Sequence, residues 1–206
     1  MHALFFEVTP RPGHEDHYFK IAAALRPILE QNDGLIFIDR YKSLARPDTI
    51  LSHSLWEDEA SLVRWRNDTK HHAAQRAGRE VHFSDYRLRI AQVIQSYTRE
   101  DGGQKVAPDE DPGPAPRRLM LVVESCGRPF GDEGEAFASV NRDDVYVTVI
   151  PIETDKQGGE LVRAAKGEDF IASARLCLVS RDYGMFERRE APQTFAPLKQ
   201  VDDIAQ

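Results

Sequence analysis

The sequence predicts an α+β fold: a ferredoxin-like βαββαβ unit followed by a second α+β unit. Two observations carry this prediction. Over residues 1–98, apolar residues recur at strand-like and helix-like spacings in the order βαββαβ. Residues 99–117, rich in proline, glycine and acidic side chains, then separate this unit from residues 118–206. Two helices on one face of a four-stranded antiparallel sheet is the arrangement that the first unit's order favours.

The first unit divides clearly into elements. The pattern predicts strands at residues 3–9, 35–42, 49–56 and 85–96, and helices at 14–31 and 57–79. Acidic Glu15 and Asp16 suit the first turn of the first helix, and Gly34 follows its end. The run at 35–38 is apolar throughout, which indicates burial on both faces of the sheet. We therefore expect either a sheet-to-sheet homodimer or packing of this unit on the second half, an intrachain pseudo-dimer.

The second unit is expected to be a degenerate repeat of the first. Its pattern predicts strands at residues 118–125, 145–152, 174–180 and 184–189, and helices at 132–140 and 156–166. This gives the order βαβαββ, in which the third strand and second helix of the first unit are exchanged. The chain from residue 192 onward is interpreted as a surface extension.

Composition narrows the class of protein. The net charge of −7 argues against nucleic acid as a partner. No apolar run approaches the ~18 residues that a membrane span needs, so no membrane partner is expected. The N-terminus lacks the pattern of a secretory signal. Cys126 and Cys177 form no CxxC pair, which favours a reduced, cytoplasmic protein.

The second predicted helix carries the best candidates for chemistry. Trp65, Thr69 and His72 are spaced i, i+4 and i+7, so they share one face of a continuous helix. Trp65 would then stack on a flat aromatic substrate, and His72 would accept a proton from a phenolic hydroxyl. His71 lies ~100° away from His72 on such a helix. The alternative is that Trp65 is a core residue and His72 a hydrogen-bonded residue near the helix end.

Other polar residues are weaker candidates. Arg40 is suited to orienting an anionic substrate, although a surface ion pair is the simpler interpretation of this residue. Tyr86 is suited to donating a hydrogen bond into the pocket, although an aromatic residue at an interface is the simpler interpretation. His14 and His17 lie one turn apart, but two ligands make an incomplete site. No metal site is therefore predicted.

Residues 1–98 resemble the antibiotic biosynthesis monooxygenase (ABM) domain family. The resemblance rests on the opening LFFEVTPRPGHE, on WEDEASLVRWR and on HHAAQRAGREVHFSDYRLRIAQV. It implies a dimeric α+β barrel in which two ferredoxin-like sheets pack together. It also implies either oxidation of phenols or quinols with molecular oxygen as co-substrate and no metal or flavin, or haem degradation.

The resemblance favours the cofactor-independent branch. The haem-degrading branch uses an Asn on the first strand, a Trp on the second helix and a His about three turns later. Trp65 matches the Trp, but the Asn position falls near Phe6 and the His position near Gln75. Haem is therefore disfavoured as a cofactor. The family pattern places a histidine at or beside His71, so His71 and His72 both stay candidates. The leading hypothesis is a cofactor-independent monooxygenase of a small aromatic phenol or quinol, and the alternative is a non-catalytic ligand-binding or assembly module.

Overall fold

The computed structural model describes residues 1–105 and 117–192, together with Phe195 and Leu198. The strands are β1 His2–Pro10, β2 Leu35–Ser43, β3 Ile50–Trp56, β4 Phe83–Thr98, β5 Gly102–Lys105, β6 Leu119–Cys126, β7 Glu135–Ser139, β8 Val145–Ile152 and β9 Ile171–Gly184. The helices are α1 Glu15–Glu30, α2 Glu59–Asn67, α3 Thr69–Ala77 and α4 Asp155–Lys166, and a π-helical turn, Gly78–His82, follows α3.

The strands form one continuous sheet that closes on itself. The strand order is β1-β3-β2-β7-β8-β6-β9-β4-β5, and β1 also pairs with β4. This additional pairing joins all the strands except β5 into an eight-stranded ring. The ring is completed within a single chain, as expected for the intrachain pseudo-dimer.

The two halves of the ring repeat one topology. The first half runs β4-β1-β3-β2 and the second β9-β6-β8-β7, so each half follows the ferredoxin-like order 4-1-3-2. The halves join where β2 pairs with β7 and where β4 pairs with β9. The second half lacks a helix between its first two described strands, β6 and β7, and keeps only α4.

Both halves contribute to the core inside the ring. Side chains alternate between the two faces of each strand, so every second residue points inward. The inward core consists of Ala3, Phe5, Tyr41, Leu51, Leu55, Ala91, Val93, Met120, Val122, Phe137, Val147, Val149 and Cys177. A separate core lies beneath α4, which packs through Val162 and Ala165.

The structure corrects the predicted second unit. Residues 132–140 do not form the predicted helix, because residues 135–139 pair as a strand with both β2 and β8. Gly134 precedes this strand with φ +81°, and a Cβ there would lie 2.4 Å from the Val149 carbonyl oxygen. The predicted strands at 174–180 and 184–189 are instead one strand that ends at Gly184. The second half therefore has the order βββαβ, and the predicted order βαβαββ was wrong.

The predicted continuous helix at 57–79 was also wrong, because it is interrupted between α2 and α3 at Asp68. Residues 102–105 of the predicted linker form β5, and residues 106–116 lie outside the described part of the chain. Of the predicted C-terminal extension, only Pro192, Phe195 and Leu198 are described. In the described ranges, no helix has the length and apolar character needed to cross a membrane.

Candidate active site

A cavity of about 220 Å³ lies between the helices and the outer face of β1–β4. The sheet contributes outward side chains, and the helices form the roof. Aliphatic and aromatic side chains make up most of the wall: Leu4, Phe6, Tyr18, Ile21, Leu25, Leu29, Ile38, Leu62, Trp65, Phe83, Tyr86, Leu88, Ile90, Tyr183 and Phe195. A mostly apolar cavity with a few polar groups is typical of a small-molecule site.

The break at Asp68 determines which polar groups reach this cavity. The Asp68 carboxylate accepts hydrogen bonds from the backbone amides of Lys70 and His71, at 3.0 and 2.9 Å, and so caps α3. With the helix restarted, the His71 ring stacks on the Trp65 indole, with 4.0 Å between ring centroids and an interplanar angle of 14°. Both rings line the cavity.

His71 is held as a neutral imidazole. Its Nδ1 lies 2.9 Å from the Trp65 carbonyl oxygen, which can only accept, so Nδ1 donates and Nε2 is the acceptor nitrogen. Desolvation by burial lowers the pKa of His71 to about 4, although the Trp65 carbonyl opposes the shift. The Gln75 amide nitrogen lies 3.5 Å from His71 Nε2, a long contact that a ligand hydroxyl can replace.

Two arginines bring positive charge to the cavity wall. The Nε atoms of Arg40 and Arg66 are buried, and so is Nη1 of Arg66; none of these atoms has a hydrogen-bond partner among the described residues. Arg40 lies beside the Tyr18 hydroxyl, where burial raises the pKa of the tyrosine despite the nearby guanidinium. A buried guanidinium nitrogen without a hydrogen-bond partner is costly, which favours an acceptor group of a ligand, such as a carboxylate oxygen, in this position.

Tyr86 lines the cavity, but its hydroxyl is already engaged. It accepts hydrogen bonds from Arg188 Nη1 at 2.6 Å and from Arg79 Nη1 at 3.3 Å. The tyrosine therefore has its own O–H left as a donor. Arg79 also bonds the Met185 carbonyl and so ties the π-helical turn to the chain beyond β9.

Thr69 and His72, expected on one face with Trp65, do not line the cavity. Thr69 is exposed at the first position of α3, and the His72 ring lies 5.7 Å from the Phe195 ring. The expected grouping fails because it assumed a continuous helix. The sequence NDT at 67–69 contains the signal for the break, since Asp is a strong N-cap residue.

Three histidines form a cluster beside the cavity. His14 Nδ1 lies 2.9 Å from His82 Nδ1, and His17 stacks on His82 with 3.8 Å between ring centroids. His17 and His82 line the cavity. Within residues 1–105 and 117–192, no group of three His, Cys, Asp or Glu side chains is arranged to hold a metal ion.

Comparison with known proteins places the chain in a family. Residues 1–77 match the family model described as antibiotic biosynthesis monooxygenase. A protein of Pyricularia oryzae, named jasmonate monooxygenase ABM, is 36% identical over 214 residues, which cover 96% of this chain and 99% of that protein.

Solved structures resemble the fold at low sequence identity. An aldoxime dehydratase has a TM-score of 0.50 at 10% identity, covering 87% of this chain and 80% of its own. A Pseudomonas aeruginosa protein, PA3566, has a TM-score of 0.39 at 16% identity and covers 52% of this chain and 94% of its own. The match of the family model together with the full-length relative shows that this chain belongs to the antibiotic biosynthesis monooxygenase family.

Proposed function

We propose that the protein is a cofactor-independent monooxygenase that oxidises a small aromatic phenol or quinol in the cavity between the helices and the sheet. The observation that carries the proposal is that Trp65 and His71 both line that cavity. The name of the Pyricularia relative supports monooxygenation as the reaction class. A completely filled core at this place would have favoured the non-catalytic binding module instead.

In the proposed reaction, the substrate ring lies against the Trp65 and Phe6 side chains and presents its hydroxyl to His71 Nε2. His71 takes the hydroxyl proton, and the resulting phenolate passes electrons to oxygen more readily than the phenol does. A pKa of about 4 makes free His71 a weak base. The phenolate formed beside it stabilises the imidazolium and offsets the desolvation that lowers this pKa.

The proposed reaction balances without an added reductant. A substrate methylene activated by the phenolate is converted to a carbonyl, losing two hydrogens and four electrons. One oxygen atom of O₂ enters the product, and the other leaves as water with the two hydrogens. A phenolic substrate that contains such a methylene thus supplies all of the electrons itself.

A second substrate class is favoured by the two half-buried arginines at the cavity wall. Arg40 and Arg66 present guanidinium atoms without hydrogen-bond partners in the described structure. An organic carboxylate with an apolar body would place its charge beside them and its body against the aliphatic wall. The name of the relative specifies jasmonate, which makes this compound the first member of the class to test.

Oxygen uptake by the purified, metal-stripped protein tests the proposal. The panel comprises naphthols, anthrones, hydroquinones and jasmonate. We expect uptake with at least one member, its loss in Trp65→Ala and its partial retention in Trp65→Phe, which keeps an aromatic face. Uptake that survives in Trp65→Ala would place the reaction elsewhere, and a complete lack of uptake by folded protein would favour the binding module.

The arginine variants separate the two substrate classes. Arg40→Met and Arg66→Met should raise KM for a carboxylate substrate by about tenfold to a hundredfold, since a hydrogen bond to a charged group contributes ~1.5–3 kcal/mol. Neutral naphthols should be affected much less. Equal effects on both classes would show that the arginines act only on the shape of the cavity.

A further inference from the structure

The cavity between the helices and the sheet is completed by residues from the second half of the chain. Most of the described residues that line it lie between Leu4 and Ile90, on the strands and helices of the first half. Tyr183, near the end of β9, and Phe195, beyond it, belong to the second half. The first half by itself therefore lacks part of the cavity wall.

Phe195 is an isolated aromatic residue in its part of the sequence. It is the sole aromatic residue after Phe186, and the stretch EAPQTFAPLKQ at 190–200 is otherwise polar, small or proline, apart from Leu198. A segment of this composition has little apolar surface with which to pack on itself. A phenylalanine within it therefore gains its contacts from the rest of the protein.

The Phe195 ring contacts two guanidinium groups and one imidazole. Arg188 Cζ lies 5.3 Å and Arg79 Cζ 5.8 Å from the centroid of the ring, both within the range of cation–π attraction. The centroid of the His72 ring lies 5.7 Å away, with an interplanar angle of 25°. His72 does not itself line the cavity, so it contacts Phe195 from outside the cavity.

Both arginines that contact Phe195 are also bound to the cavity wall. Arg188 Nη1 donates to the Tyr86 hydroxyl at 2.6 Å, and its Cζ lies 5.7 Å from the centroid of the Tyr183 ring. Arg79 is 3% exposed and reaches the same Tyr86 hydroxyl at 3.3 Å. Since Tyr86 and Tyr183 both line the cavity, Phe195 is attached to the side chains that form the neighbouring wall.

Phe195 lies at the boundary between the cavity and solvent. Its ring lines the cavity, yet the residue is only half-buried, so part of its surface faces solvent. A ligand that extends past this ring must displace it. The face that Phe195 presents to the cavity is hydrocarbon, which suits the apolar end of a ligand and disfavours a charged end.

We propose that Phe195 closes the cavity and limits the size of the apolar group that a ligand can place there. Phe195 is in this sense a residue that determines specificity. The inference rests on the proposed function for the phenolic part of the ligand, which is bound beside Trp65 and His71. The closure itself depends on no reaction, so it is tested separately.

Quenching of tryptophan fluorescence by acrylamide tests the closure without a ligand. Trp65 lines the cavity and is 8% exposed, while Trp56, the other tryptophan of the chain, is 1% exposed. Phe195→Ala should admit acrylamide to the cavity and raise the Stern–Volmer constant, and adding Trp65→Phe should remove this rise. Phe186→Ala is the matched control, because Phe186 is 39% exposed and does not line the cavity. It should leave quenching unchanged.

Titration calorimetry with 4-alkylphenols, from 4-ethylphenol to 4-octylphenol, tests the size limit. The titrations are made without oxygen, so that binding is measured and not turnover. In the unmodified chain the affinity should rise about fourfold with each added methylene and stop rising once the cavity is filled. In Phe195→Ala the rise should continue to longer alkyl chains, and in Phe195→Trp it should stop at shorter ones.

Two results would overturn the proposal: quenching in a folded Phe195→Ala that equals quenching in the unmodified chain, or the same limiting alkyl length in both. Circular dichroism checks that each variant folds. If no alkylphenol binds to either chain but quenching rises in Phe195→Ala, the phenol class of the proposed function fails while closure by Phe195 stands.

Discussion

The Trp65 indole and the His71 imidazole stack face to face, with 4.0 Å between their centroids. On an unbroken helix, residues six apart point ~240° from each other. The two rings meet because Asp68 is extended, with ψ 134°, and starts a new helix. A single capping residue thus places His71, and not His72, beside Trp65 at the cavity wall.

Removing this cap should affect the site as well as the stability. Asp68→Ala leaves the Lys70 and His71 amides without their acceptor, at a cost of about 1 kcal/mol in the free energy of unfolding. We also expect weaker ligand binding, because the Trp65–His71 stack loosens. Thr154→Ala, which removes the side-chain cap of α4 far from the cavity, is the matched control. It should lower stability similarly and leave binding unchanged; equal loss of binding in both would contradict a local role for Asp68.

His53 should make stability depend on pH. Its pKa is lowered to about 4 by burial inside the ring, where it is 3% exposed. The unfolded chain therefore binds the proton more readily, so stability is complete above pH ~6.5 and falls as the pH decreases towards 4. At 1.4 kcal/mol per unit the loss approaches ~3 kcal/mol. Urea unfolding at pH 7.5, 6 and 5 should show a shallower decline in folded His53→Gln; an identical decline would contradict the assignment.

Gly78 is required by the packing of Phe83. A Cβ at residue 78 would lie 2.3 Å from the Phe83 ring, so Gly78→Ala must displace a ring that lines the cavity. We expect a loss of ~1–3 kcal/mol in stability and a change in ligand affinity of the cavity. At Gly159, in α4, the nearest atom to an added Cβ is 3.8 Å away. Gly159→Ala should therefore raise stability by ~0.5–1 kcal/mol, and a thermal unfolding series compares the two.

The buried pair of Glu7 and Arg89 should be far more sensitive than a surface pair. Their side chains are 8% and 12% exposed, so Glu7→Gln leaves Arg89 without its buried counter-charge. The expected loss is ~3–5 kcal/mol. Glu30→Gln, which breaks the exposed pair with Arg26, should cost less than ~0.5 kcal/mol. Comparable losses in chemical denaturation would show that another carboxylate near Arg89, such as Asp182, compensates for the lost charge.

Apart from the break at Asp68, the first half of the chain could be predicted from local patterns because its elements are long and strongly periodic. The second half could not. The stretch EAFAS at 135–139 is too short to separate a helix from a strand, and its pairing with β2 depends on a partner about a hundred residues away in sequence. The structure places Trp65 in the cavity wall, and the position of His71 beside it depends on the cap at Asp68, which a continuous-helix pattern does not include.

The closure of the ring within one chain has a kinetic consequence. β1 and β4 pair intramolecularly, as do β4 and β9, so formation of the barrel is a first-order event. Its rate is set by the slow search for long-range strand pairs and not by encounters between molecules. Dilution to nanomolar protein concentrations should therefore leave the barrel intact.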